Sequence, residues 1–239
     1  MANSYFQFKQ FRVEQAQCAM KVCTDACVLG AIATVGGARR ILDIGTGTGL
    51  LALMAAQRAP GARIEAVELD PAAAAQAAAN VAASPWASRM AVHPLSLASY
   101  AASRPGLFSH IICNPPFFRR SLAPPDAARA TARHEGAGSL TFGEIIQFAA
   151  GHLAPGGALT VLLPPPEMQE FEHAAAGELP VRARLLVQHR PGGRATRCIS
   201  EFGRGAPAEL RTSNLVIQNA EGAYSAAFRA LLSEFYLAL

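Results

Sequence analysis

The segment Asp43-Ile-Gly45-Thr-Gly47-Thr-Gly49 constrains the fold of this chain more than any other stretch of it. It lies between an apolar run at 40–44 and a helix-forming run at 50–59, so three glycines at alternate positions join a strand to a helix. Glycine reaches φ > 0 without a Cβ clash, which lets the backbone turn sharply and approach a ligand closely. The helix behind the turn presents free N–H groups at its N-terminus. This is the opening of a βαβ unit, and such units build parallel sheets.

The rest of the chain keeps that rhythm. Residues 64–69, 90–95 and 108–113 read as strands, with a helix at 72–83; a helix at 142–153, a strand at 158–163 and a helix at 166–176 come next. The alternation predicts a doubly wound, mostly parallel α/β sheet. Residues 184–189, 198–203 and 214–218 read as strands with little helix between them, so an antiparallel end is expected, ahead of an amphipathic terminal helix at 223–237. Upstream, Phe6, Phe8 and Phe11 alternate with polar residues in a short strand or ordered arm over 5–13, and Asp25 is expected to cap a helix. Two long loops, 115–140 and 189–197, are rich in arginine and in glycine or proline.

Composition narrows the class. Of 239 residues 51% are hydrophobic and 16% charged, which supports a large core and excludes global disorder. Residues 1–12 are polar and basic where a secretory leader needs an apolar stretch, and the apolar runs at 72–83 and 158–163 fall short of the roughly 20 residues of a membrane span. A cytoplasmic protein is expected. Cys18, Cys23 and Cys27 lack the C-x-x-C spacing of a zinc knuckle and are expected to be buried small residues; no metal is expected. The net charge of +4 is compatible with a polyanionic partner, and 19 of the 21 cations are arginine, although coding bias produces the same enrichment.

Glu68 ends the next strand, about 20 residues past the glycines, where an acid is placed to accept hydrogen bonds from both hydroxyls of a ribose. Turn and acid together point to a nucleotide site. The dinucleotide fingerprint needs Gly or Ala three residues after Gly47, and Leu50 stands there. The G-x-G-x-G spacing behind Asp43 instead resembles the first motif of class I S-adenosylmethionine-dependent methyltransferases. Asp43 would then lie near the cationic methionine end of that donor.

At the end of the fourth strand stands Asn114-Pro115-Pro116-Phe117. The Asn114 side-chain oxygen and the Pro115 carbonyl can accept both hydrogens of a planar amino group. Such an amine is a weak nucleophile because its lone pair is delocalised; two acceptors that draw its hydrogens out of plane free that pair. Pro115 and Pro116 hold the backbone and carry no competing N–H. Phe117 can stack on a base swung out of its strand.

Phe6-Gln-Phe8-Lys9-Gln10-Phe11 and Cys18-Ala-Met20-Lys21-Val22-Cys23-Thr24-Asp25 narrow the likeness further, together with Leu50–Arg58, Ser84-Pro-Trp86 and Phe235-Tyr236-Leu237. Over nearly its whole length the chain resembles the bacterial family that methylates the adenine beside the anticodon of a valine tRNA. The resemblance implies a Rossmann-like, seven-stranded sheet with an antiparallel end, and an arm and helix over 1–38 that cover the donor site of a catalytic domain at 39–239. It implies S-adenosylmethionine as cofactor, held by Thr24, Asp25, Asp43, Gly45, Gly47, Gly49, Glu68, Ser96 and Asn114, with Asn114, Pro115, Pro116 and Phe117 as the catalytic turn. Four positions depart from the family pattern: Cys23 and Ala26 replace glycines, Ser96 replaces an acid near the donor's adenine, and Phe117 replaces a common tyrosine. Arg119, Arg120, Arg129, Arg133, Arg190, Arg194, Arg197 and Arg204 are candidate phosphate contacts for tRNA. The same turn chemistry also serves methylation of rRNA guanine or of a protein glutamine amide, and a non-catalytic nucleotide-binding scaffold is the reading from another class.

Overall fold

In a computed structural model, residues 4–18, 20–116, 140–205 and 209–239 are described. The chain opens with a two-stranded hairpin, β1 (Tyr5–Gln7) against β2 (Arg12–Glu14), followed by helix α1 (Thr24–Ile32). Then come β3 (Arg40–Ile44), α2 (Leu50–Arg58), β4 (Arg63–Val67), α3 (Pro71–Ala82) and β5 (Met90–His93). Helix α4 (Leu97–Ala102), β6 (Phe108–Cys113), α5 (Phe142–His152), β7 (Leu153–Leu163) and α6 (Pro165–Ala175) complete the alternating part. The tail holds β8 (Val181–Gln188), β9 (Ala195–Phe202), β10 (Arg211–Val216) and α7 (Ala226–Leu232).

The main sheet runs β10-β8-β9-β7-β6-β3-β4-β5. It has eight strands where seven were expected, because β10 adds to the outer side of β8 in parallel register. The antiparallel character resides in β9 alone, which lies between β7 and β8 and opposes both. Its direction is set by connectivity: β8 and β9 are joined by the short turn 189–194, and a hairpin is necessarily antiparallel.

Alternation along β3 distributes the core between two faces. Ile41 joins α1, α2, the hairpin and α7; Leu42 and Ile44 join α4, α5 and α6. The N-terminal hairpin belongs to the first core. Phe8 stacks on Phe11 at 4.5 Å between ring centroids, both are buried with Phe228 and Phe235, and the Lys9 N–H donates to the Phe235 carbonyl at 2.8 Å.

Three local expectations change. Helix α1 is preceded by Cys23 in extended backbone, so Asp25 sits inside the first turn rather than at the cap. Helix α4 was not expected; it is short and depends on Ser96, whose hydroxyl accepts the Ser99 N–H at 3.1 Å. The terminal helix is confined to Ala226–Leu232, started by Ser225, and the chain beyond it turns back so that Tyr236 bridges to Phe8. No described helix is long and apolar enough to cross a membrane.

Candidate active site

A cavity of about 870 Å³ opens where β3, β4, β5 and β6 end, the edge at which open parallel sheets bind ligands. Each strand contributes residues from just beyond its end: Gly45 and Gly47 after β3, Glu68 after β4, Leu95 and Ser96 after β5, Asn114 and Pro116 after β6. Gln17, Cys18 and Met20, from the segment after the hairpin, close one side, and Leu140 and Glu144 another.

The glycine turn is built on positive φ. Gly47 lies at φ 55° and Gly49 at φ 83°, values that side chains with a Cβ rarely adopt. Asp43 holds the turn from beneath. Its Oδ2 accepts from the Thr46 hydroxyl at 2.5 Å and from the Ala52 N–H at 3.1 Å, while Oδ1 has no partner among the described residues. Complete burial pushes this carboxyl up to about 7; the bonds from Thr46 and Ala52 oppose the shift and the charge of Glu68 adds to it. Asp43 is therefore a wholly buried support of the turn and is not in the cavity wall.

Glu68 does reach the wall, and both its oxygens are oriented by main chain. Oε2 accepts the Gly47 N–H at 2.9 Å and Oε1 the Asp70 N–H at 3.0 Å. Asp70 in turn caps α3 by accepting the Ala73 N–H at 2.8 Å, with Pro71 at the first helical position. A carboxylate has about four acceptor positions, so Glu68 retains capacity for hydroxyl donors from a ligand.

Asn114 leaves β6 at the opposite side of the cavity. Its Oδ1 is buried and has no hydrogen-bond partner among the described residues. A buried acceptor of this kind costs about 1–3 kcal/mol unless something donates to it. Pro115 is buried behind it, and Pro116 lines the cavity.

The structure thus gathers Gly45, Gly47, Glu68, Ser96, Asn114 and Pro116 around one space, with Asp43 and Gly49 supporting the turn. Thr24 and Asp25 are not among the lining residues; the Asp25 carboxylate lies 2.9 Å from Nε of Arg197. Phe117, Arg119, Arg120, Arg129 and Arg133 lie outside the described residues. Arg190 and Arg194 are exposed on the β8–β9 turn, at the same edge of the sheet as the cavity. Arg204 comes after the far end of β9, at the opposite edge, and donates to the Ala150 carbonyl at 2.5 Å.

Sequence reasoning expected residues 1–38 to cover the site but named Thr24 and Asp25 for it, and missed Gln17, Cys18 and Met20, which line the cavity. Cys18 is partly exposed in the cavity, where burial and the charges of Glu68 and Asp70 raise its thiol above the ordinary range, and Cys23 is exposed; of the three cysteines expected to be buried, Cys27 alone is. It also missed the apolar surface: Met20, Leu69 and Leu95 are 57%, 48% and 38% exposed, and all three face the cavity. An apolar residue set just beyond a strand end, between two acids, is the signal that marks Leu69. Among the described residues no group of three or more His, Cys, Asp or Glu is placed to hold a metal ion.

Strand order, glycine turn and cavity together define a small methyltransferase domain, and the family described as "Methyltransferase small domain" matches residues 26–165. Among solved structures, a protein of Agrobacterium tumefaciens described as a predicted O-methyltransferase superposes with a TM-score of 0.70 over 90% of this chain and 99% of that one, at 22% identity. A ribosomal protein L11 methylase from Lactobacillus delbrueckii superposes at 0.54 over 80% and 83%, at 17% identity. These likenesses show the fold. The chain belongs to the tRNA1(Val) (adenine(37)-N6)-methyltransferase family: it is 43% identical to the member from Bacteroides thetaiotaomicron over the whole of both chains, and 42% identical to that from Yersinia pestis over 97% of this chain and 93% of the relative.

Proposed function

We propose that this protein transfers a methyl group from S-adenosylmethionine to the exocyclic amine of the adenine next to the anticodon of valine tRNA, in the cytoplasm. Its relatives carry that activity in their names, and the observation that carries the reading within this chain is the buried, unpartnered Oδ1 of Asn114, a residue that lines the same cavity as Glu68 and the glycine turn. When bound, the donor supplies an electrophilic methyl group on a cationic sulfur. The residues present suit it: Glu68 accepts from ribose hydroxyls, Gly45 and Gly47 let the backbone lie close, and Leu69, Leu95 and Met20 offer apolar cover to a flat ring. Ser96 engages its own side chain in capping α4, so the main chain near Leu95–Leu97 is left to meet the ring edge where the family has an acid.

Catalysis in this reading is orientation. Asn114 Oδ1 and the Pro115 carbonyl accept the two amine hydrogens, draw them from the ring plane and turn the nitrogen lone pair toward the donor. Phe117 stacks on the flipped base. Arg190 and Arg194, on the edge of the sheet at which the cavity opens, meet phosphates of the tRNA, as do Arg119, Arg120, Arg129 and Arg133; Arg204, at the opposite edge of the sheet, is not part of this surface. Within residues 1–38, the segment after the hairpin covers the donor, whereas α1 supports the sheet of the catalytic domain.

The test is nucleoside mass spectrometry of tRNA from a strain lacking the gene, beside methylation of unmodified valine tRNA by the purified protein. N6-methyladenosine beside the anticodon disappears in the strain and forms in the tube. Its persistence, with a methyl mark missing from rRNA guanine or a protein glutamine, overturns the assignment.

A further inference from the structure

We infer that Asn80, which lies outside the cavity, is a positioning residue that couples the N-terminal arm to the glycine turn and so keeps the arm's wall of the cavity in place. The inference rests on the reading of that cavity as the methyl-donor site. Asn80 sits near the end of α3 and is 2% exposed. A buried side-chain amide needs partners, and Asn80 finds all of them in main chain. Its Oδ1 accepts the Glu14 N–H at 2.9 Å; its Nδ2 donates to the Glu14 carbonyl and to the Thr48 carbonyl, both at 2.8 Å. Glu14 is the last residue of β2, and Thr48 lies inside the glycine turn. One amide therefore imitates a strand neighbour for the arm and holds the turn with its remaining hydrogen.

The neighbouring contacts extend the link to the cavity. Gln76, one helical turn earlier on the same face of α3, accepts the Gln17 N–H at 3.4 Å. Gln15 is buried and accepts the Val22 N–H at 2.8 Å, which closes residues 15–22 into a loop. That loop carries Gln17, Cys18 and Met20 to the cavity. An apolar residue at position 80 fills the volume but leaves one N–H and two carbonyls without a partner, so the arm and the turn lose their common anchor.

Asn80→Asp and Asn80→Ala test this. Asp keeps the acceptor for Glu14 N–H but loses both donors and sets a carboxylate against two carbonyls; Ala removes every bond. Three measurements are taken: calorimetric affinity for S-adenosylhomocysteine, the donor KM and kcat, and trypsin cleavage at Arg12 and Lys21 with and without that ligand. In the parent protein the ligand slows cleavage at Lys21. In both variants the arm is cut faster, the ligand protects less, affinity falls about tenfold and donor KM rises, while kcat at saturating donor stays within about twofold. Asn219→Ala, which removes an amide that closes only the 219–223 turn, changes none of these. Folded Asn80 variants with parental affinity and parental cleavage overturn the inference. Should neither fold, Gln76→Ala decides: cleavage at Lys21 about threefold faster supports the link, and unchanged cleavage overturns it. A parent protein that does not bind S-adenosylhomocysteine overturns the donor reading instead, which keeps the two failures distinct.

Discussion

The two sides of the cavity treat their polar groups in opposite ways. On the glycine-turn side, Glu68 has both oxygens engaged by the N–H groups of Gly47 and Asp70, and Asp70 is fixed in turn by capping α3. On the β6 side, Asn114 presents a buried oxygen that no described residue satisfies. The first arrangement stabilises a shape before any ligand arrives. The second leaves a desolvated acceptor whose cost is recovered only when a donor group of the substrate meets it. In the proposed function, the glycine-turn side serves binding and the Asn114 side the reacting atoms.

The largest expected effect breaks the Asn114 side. Asn114→Ala removes an acceptor that matters most as the amine becomes pyramidal, so single-turnover methylation at saturating tRNA drops about 10²-fold or more. Affinity for S-adenosylhomocysteine and for tRNA stays near parental. A normal rate at saturation makes this turn a structural loop. Glu68→Ala does the reverse: affinity for S-adenosylhomocysteine weakens by roughly 1.5–3 kcal/mol in calorimetric titration, because charge-assisted bonds to the ribose are lost and the Gly47 N–H loses its partner. Unaltered affinity places the donor elsewhere.

A smaller effect sharpens the comparison at the level of the sheet's two edges. Arg190→Ala combined with Arg194→Ala weakens tRNA binding and makes its salt dependence shallower by about two units of log–log slope, one per phosphate contact. Arg204→Ala, at the opposite edge, leaves both unchanged. Filter binding across a salt series reads the difference, and equal behaviour of the two sets rejects the cavity edge as the RNA face.

Legibility in the sequence tracked the range of the forces involved. The strand over Arg40–Ile44 and its glycine turn were readable because a short apolar run and φ > 0 are local requirements. Asn114 was readable because its neighbours are prolines at a strand end. The pairing of β10 outside β8 depends on which sheet edge is free after β9 inserts, which no local pattern encodes. The place of Cys18 and Met20 in the wall depends on Gln15 and Asn80, whose bonds close the arm across 7 and 66 residues of sequence. Asp25 had the composition of a cap, but Arg197, from a strand far along the chain, draws its carboxylate elsewhere.

The smallest expected effect concerns the charge beneath the donor side. Asp43 is raised from 3.8 to about 7, chiefly by burial, so near neutrality it is only partly ionised. The native state holds this proton more tightly than the unfolded chain does. Between about pH 4 and pH 7 the unfolded state therefore binds fewer protons at this group, and its contribution to stability falls as pH rises through that window. Binding of a cationic donor has the opposite slope, because it favours the ionised carboxylate through the low-dielectric interior. Affinity for S-adenosylmethionine is expected to rise about threefold from pH 6 to pH 8, with a smaller rise for S-adenosylhomocysteine, which lacks the sulfonium. Asp43→Asn keeps an oxygen for Thr46 and Ala52 but cannot ionise, so the turn persists and the difference between the two ligands no longer changes with pH. Parallel pH profiles for parent and variant would mean that Asp43 acts on the turn alone and that its charge does not reach the donor.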